Sequence, residues 1–237
     1  MKVIRPVLRW HGGKFLLAPW IIDHLPPHRI YTETYGGAAS VLLRKPRSYS
    51  EVYNDLDGNV VNLFRILQDP SQTARLIELL RLTPFARQEF ELAYEPTEDP
   101  LEMARRLVIL SFMGFGTNSS TSSTGFRSNS NRSGTTPAHD WAHYPDCLQA
   151  IVDRLRGVVI EQREAIEVMR QHDGPDTLHF VDPPYVHSTR GKGPQKDYRH
   201  EMDDEAHRAL AATLKDLRGM VVLCGYPSQF YDSLYQD

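Results

Sequence analysis

The sequence predicts an α/β fold, a mainly parallel sheet with helices on both faces, plus a small helical insertion. Three observations carry this reading. Short apolar segments at 29–33, 49–54, 158–162, 178–181 and 220–225 alternate with segments of helical spacing, the rhythm of parallel strands joined by crossover helices. The first of these strands runs into a glycine turn and a short apolar helix, a unit that lets a ligand approach the backbone closely. The segment 178–181 stops at Asp182-Pro183-Pro184-Tyr185, because proline cannot donate to a sheet ladder. A chain of 237 residues, 41% of them hydrophobic, is enough for one such domain with a sizeable core.

Taken in order, Trp10-His11-Gly12-Gly13-Lys14 precedes an amphipathic helix over 15–25, where the paired glycines stand at the helix start and their amides can face an anion. The strand 29–33 leads into Thr34-Tyr35-Gly36-Gly37-Ala38-Ala39-Ser40 and a short helix from Val41. The next strand ends at Asn54-Asp55, followed by a helix over 57–68. An acid at such a strand tip can bind a ribose diol or cap the following helix, and Asp55 and Asp57 both qualify. Three helices are expected next: one capped by Ser71 and running to Leu82, one opened by Thr83 and Pro84, and one opened by Asp99, Pro100 and Glu102 and ending near Phe112. Residues 116–136 are Ser, Thr, Asn and Gly interrupted by Phe126, Arg127 and Arg132. This composition cannot order itself in isolation, and reads as a linker or as a segment that orders on a partner. A strand over 158–162 and a helix over 164–172 precede the Asp-Pro-Pro-Tyr strand, and a helix over 203–217 and a last strand follow it.

The strand tip carries the chemistry. The exocyclic nitrogen of adenine or cytosine is a poor nucleophile because its lone pair is delocalised into the ring. Asp182 can accept one of its hydrogens, the Pro183 carbonyl another, and Tyr185 can stack on the ring. Two acceptors on one nitrogen favour the pyramidal geometry that exposes the lone pair, and the prolines hold the carbonyl in place beforehand. The same residues also suit a plain strand-to-loop turn with a buried tyrosine.

Asp182-Pro183-Pro184-Tyr185 resembles the catalytic tetrapeptide of amino-methyltransferases acting on DNA. The order of Trp10 to Lys14, Glu33 to Ser40, Asn54-Asp55 and this tetrapeptide is similar to that of the Dam-like, alpha-group (D12 class) DNA adenine-N6 methyltransferases. The resemblance covers most of the chain and implies a Rossmann-like methyltransferase fold that uses S-adenosylmethionine. It implies catalytic roles for Asp182, Pro183, Pro184 and Tyr185, and donor binding by Trp10, Gly13, Lys14, Glu33, Tyr35, Gly37, Asp55 and Asp182. Gln162, at a strand end, joins that set by position. The implied division is a cofactor half over 1–69, a helical and polar target-recognition insertion over 70–145, and a catalytic half over 146–237. Ala39 stands where the family commonly has a second glycine, and its methyl group is expected to crowd the donor. The family also continues with strands that complete the sheet as an antiparallel hairpin, whereas this chain stops at Asp237, so an exposed sheet edge is expected.

The partner implied is double-stranded DNA, with a cognate restriction endonuclease or none. The net charge of −3 is unusual for a nucleic-acid binder. Local basic residues offset it: Arg127 and Arg132 in the polar segment, and Arg190, Lys192, Lys196 and Arg199 after the tetrapeptide are candidates for phosphate contacts. No metal is required, and Cys147 and Cys224 lack metal-ligand spacing. No apolar run spans a bilayer and no secretory apolar core begins the chain, so a reducing cytoplasm is expected. Three rivals stand beside this reading: transfer to cytosine N4, to an RNA adenine or to a protein amide; a non-catalytic DNA-binding module; and a nicotinamide dehydrogenase, disfavoured because a full Gly-x-Gly-x-x-Gly run is missing.

Overall fold

Successive residues of a strand point to opposite faces, so a strand buried on both sides must be apolar at nearly every position. In the computed structural model, which describes residues 2–117, 122–129, 134–190 and 198–236, five strands form one parallel sheet, in which buried Thr32, Glu33, Glu51, Asn54 and His179 interrupt that apolar pattern. The strands are β1 (Ile30–Glu33), β2 (Ser50–Asn54), β3 (Val158–Glu161), β4 (Thr177–Val181) and β5 (Met220–Leu223), in the order β3-β2-β1-β4-β5. In β4, Leu178 and Phe180 enter the larger core while Val181 enters a second cluster with Ala165, Met169 and Leu210. In β5, Met220 and Val222 face the first and Val221 and Leu223 the second. Both faces are therefore covered, as the α/β reading requires.

The helices are α1 (Ala18–Asp23), α2 (Gly58–Gln68), α3 (Pro70–Leu82), α4 (Arg87–Leu92), α5 (Pro100–Met113), α6 (Pro137–Leu155), α7 (Ala165–Gln171), α8 (Asp204–Asp216) and α9 (Gln229–Tyr235). Helix α2 packs against α3, α5 and α6, and the larger core is continuous from the sheet into these helices.

Several element boundaries differ from expectation. Helix α1 is six residues long and begins beyond the glycines, and Gly13 N–H is already bonded to the Trp10 carbonyl, so this pair does not form a helix-start anion site. Residues after Val41 make single turns, with Lys45 N–H on the Val41 carbonyl, rather than a helix. Asp69, not Ser71, caps α3 by accepting from Ser71 and Gln72 N–H. Thr83 closes that helix in an extended conformation instead of opening another, because a residue before proline is pushed out of the helical region. Asp99 caps α5, but Glu102 turns to Arg105 and Arg106, so the reciprocal half of a capping box does not form. Helix α6 was not anticipated. Pro145 lies inside it, yet Trp141, Tyr144, Leu148, Ile151, Val152 and Leu155 form a buried stripe at helical spacing. It runs unbroken through the 145/146 position where the expected division falls.

Residues 122–129 are also anchored more firmly than their composition suggests. Phe126 bridges to Gly114, and its ring packs on Phe85 and Phe90. One aromatic side chain thus supplies the apolar area that the surrounding Ser and Thr lack.

A buried ion cluster ties β2 to α6. Glu51 receives both Arg154 Nη atoms at 2.6 and 2.8 Å and Lys45 Nζ at 2.9 Å. Burial works against its charge, but these three bonds hold its carboxyl below the usual range. Glu51→Ala leaves two buried cations unpaired and is expected to cost about 3–5 kcal/mol, read as a lower urea midpoint.

Candidate active site

In an open parallel sheet, the loops at the carboxyl ends of neighbouring strands diverge where the strand order reverses, and the gap accepts a ligand. Here the reversal lies between β1 and β4. A cavity of about 630 Å³ opens there, with walls from the turn before α1, the loops after β1 and β2, the start of α7, the tip of β4 and residues 198–202.

The glycine turn after β1 forms one wall. Gly37 is left-handed at φ +46°, and a Cβ there would lie 2.6 Å from Trp10 Nε1. Its amide donates to Asp55 Oδ2 at 2.7 Å, while Asp55 Oδ1 takes Asp57 N–H at 2.8 Å. Asp57 caps α2 and Asp55 does not, so the cap falls to Asp57 alone. Burial raises the Asp55 carboxyl above its ordinary range, and these two amides work against that. Each carboxylate oxygen has two acceptor positions, so Asp55 retains capacity for a diol. Ala39 is also left-handed, at φ +50°, but it is fully buried in the core and is not on the cavity wall, so its methyl group does not crowd the cavity.

Glu33 ends β1 on the cavity wall. Its Oε2 accepts from Tyr31 Oη–H at 2.8 Å and from Leu42 N–H at 2.7 Å. Burial pushes its carboxyl up to about 7 from an ordinary 4.5. The folded chain therefore holds a proton that the unfolded chain releases first, so stability is lost as pH rises between about 4.5 and 7. The full shift corresponds to about 3 kcal/mol. Glu33→Gln is expected to flatten this part of the stability profile, as measured by urea midpoints across that window.

At the tip of β4, Asp182 and Pro184 reach the cavity wall, whereas Pro183 is buried and Tyr185 lies outside the wall. Lys14 Nζ bonds both Asp182 oxygens, at 2.9 and 2.7 Å, and sits 5.1 Å from the Tyr185 ring centroid. Burial raises the Asp182 carboxyl while Lys14 pulls it back; Lys14 itself, despite burial, is held above its ordinary range by Asp182 and Tyr185. Tyr226, after β5, meets Tyr185 edge-on at 4.9 Å.

Trp10, Gly13, Lys14, Glu33, Tyr35, Gly37, Asp55 and Asp182 thus share one cavity. Gln162 does not join them; it is exposed, with its amide 3.5 Å from the Leu56 carbonyl. Two expected phosphate contacts are engaged within the protein. Arg190 bonds the Tyr185 carbonyl and Glu201, and Arg199 faces Asp57 at 3.5 Å and the Asn59 side-chain oxygen at 2.9 and 3.1 Å. Arg127 lies in the anchored segment beside α5, its N–H on the Met113 carbonyl and away from the cavity wall. Arg132, Lys192 and Lys196 lie outside the described residues. Sequence reasoning missed Tyr198 and Glu164 on the cavity wall; Glu164 follows the β3 tip, a position the strand-end rule would have flagged.

The residues present fit an S-adenosylmethionine-type methyl donor: a glycine turn, an acid with spare acceptor capacity, and a chamber of the size that buries such a molecule. Among the described residues, no group of three or more His, Cys, Asp or Glu could hold a metal ion, and no helix is long and apolar enough to cross a membrane. A search of curated proteins finds no match to the chain. A family model for D12 class N6 adenine-specific DNA methyltransferases matches residues 10–237. With its parallel sheet and its acid-proline-proline-tyrosine tip beside a glycine-walled cavity, the chain belongs to that family of adenine-N6 DNA methyltransferases.

Proposed function

We propose that the chain binds S-adenosylmethionine in the cavity and methylates N6 of an adenine extruded from double-stranded DNA against Asp182 and Tyr185. One observation supports this above the others: Asp182 stands on the cavity wall while Tyr185 lies beyond it. The acid thus separates a donor chamber from a ring on which a base can stack.

The donor supplies an electrophilic methyl group when bound. Trp10, Glu33, Tyr35, Gly37 and Asp55 would hold it, with Asp55 on the ribose hydroxyls. Asp182 and the Pro183 carbonyl orient the amine. Asp182 also stabilises positive charge growing on nitrogen, rather than removing a proton first, because a neutral aromatic amine is too weak an acid. Tyr185 stacks on the base and offsets part of the cost of extrusion. Residues 1–69 would form the donor half, 70–145 the target-facing insertion and 146–237 the catalytic half, working in the cytoplasm.

The test is to incubate the chain with labelled S-adenosylmethionine and unmethylated genomic DNA, RNA or protein, then digest and identify the labelled unit. N6-methyladenine from DNA alone is expected. Label in N4-methylcytosine, in RNA or in protein would overturn the assignment.

A further inference from the structure

The ammonium group of Lys14 occupies the seat that the proposed function gives to the target amine. It bonds both oxygens of Asp182, at 2.9 and 2.7 Å, also reaches the Gly12 carbonyl at 2.7 Å, and lies over the Tyr185 ring at 5.1 Å. The two side chains are only 13% and 16% exposed, so water does little to loosen the pair. An extruded base needs the same acceptor and the same ring. We propose that Lys14 is a positioning residue that stands in for the target amine on Asp182 in the free enzyme and yields bonds to the base as it arrives. Base capture is then an exchange of one nitrogen donor for another, and the buried carboxylate is never left without one. This inference rests on the assignment of Asp182 to the target amine.

The surroundings of Asp182 explain why a stand-in is needed. Besides Lys14 it faces Tyr185 on its own loop, Glu33 from β1, Tyr198 from the 198–202 segment, Cys224 after β5 and Tyr231 from α9. Burial favours the protonated acid, and the Asp182 charge in turn helps to hold the proton on Glu33. Lys14 supplies the opposing charge. A protonated Asp182 would present a hydroxyl donor where the amine needs an acceptor.

The test measures initial rates of methyl transfer to unmethylated genomic DNA across pH for the full chain and for Lys14→Met, Lys14→Gln and Lys14→Arg, with donor affinity measured in parallel. In Lys14→Met and Lys14→Gln the acid limb of kcat/KM is expected to move upward by about one pH unit or more, with rates recovering on the alkaline side. Lys14→Arg keeps the charge and is expected to keep the original limb. Its planar fork grips a carboxylate more firmly, so its KM for DNA rises while kcat changes less. An unshifted limb in the neutral variants, or a loss equal at every pH, overturns the inference. Normal turnover in Asp182→Ala would instead overturn the assignment of the amine to Asp182, so the two failures are distinguishable.

Discussion

Asp182→Ala is expected to lower methyl transfer by about 10³-fold or more while donor affinity stays close to that of the unaltered chain. In the proposed reaction the carboxylate would be the acceptor that aligns the amine and meets its growing charge, so its loss falls on kcat. It is also half of a largely buried pair with Lys14, and removing one member leaves the other without its counter-charge, at a cost of about 3–5 kcal/mol. Asp182→Asn separates these effects. It keeps one acceptor oxygen and the side-chain shape, so it should turn over faster than Ala. Transfer of label to DNA gives the first quantity, calorimetric titration of the donor the second and urea unfolding the third. A variant that unfolds normally, binds donor and still turns over at the native rate would remove Asp182 from the reaction.

Gly37→Ala is expected to weaken donor binding by about ten- to a hundredfold. A left-handed φ costs a non-glycine residue about 1–2 kcal/mol. The added Cβ would also lie 2.6 Å from Trp10 Nε1 and 2.8 Å from Cδ1. Relief requires Trp10 to move or the turn to flatten, and either disturbs the bond between Gly37 N–H and Asp55. Gly125→Ala is the control, since a Cβ there meets nothing within 4 Å. Donor affinity within twofold of native in Gly37→Ala would show that the turn does not form the donor wall.

The contrast between legible and hidden features follows the range of the interactions involved. The strand tip at Asp182 was readable because two prolines terminate a ladder wherever they occur, and the strands were readable from short apolar stretches such as Val52-Tyr53 and Val221-Val222-Leu223. Asp57 as a cap and Asp55 as a wall residue could not be told apart locally, since both follow a strand and precede a helix. The pairing of Lys14 with Asp182 spans 168 residues and leaves no local trace. A run of basic residues shows its charge but not its partners, so the pairing of Arg190 with Glu201 and of Arg199 with Asp57 could not be read locally. Helix α6 was hidden by Pro145, whose lost backbone bond is outweighed by the buried stripe around it.

The central seam of the sheet joins segments far apart in the chain: Ile30 of β1 pairs with Thr177 of β4, and Glu33 with Phe180. Such a contact carries a large loop-closure penalty and belongs to the slow part of assembly. A nascent or refolding molecule with β1 and β2 already paired has the glycine wall, Glu33 and Asp55 but not Asp182 beside them. Under the proposed reaction, the competence to modify a base would therefore arise in a single late closure, when the segment carrying Asp182 docks beside its distant neighbour.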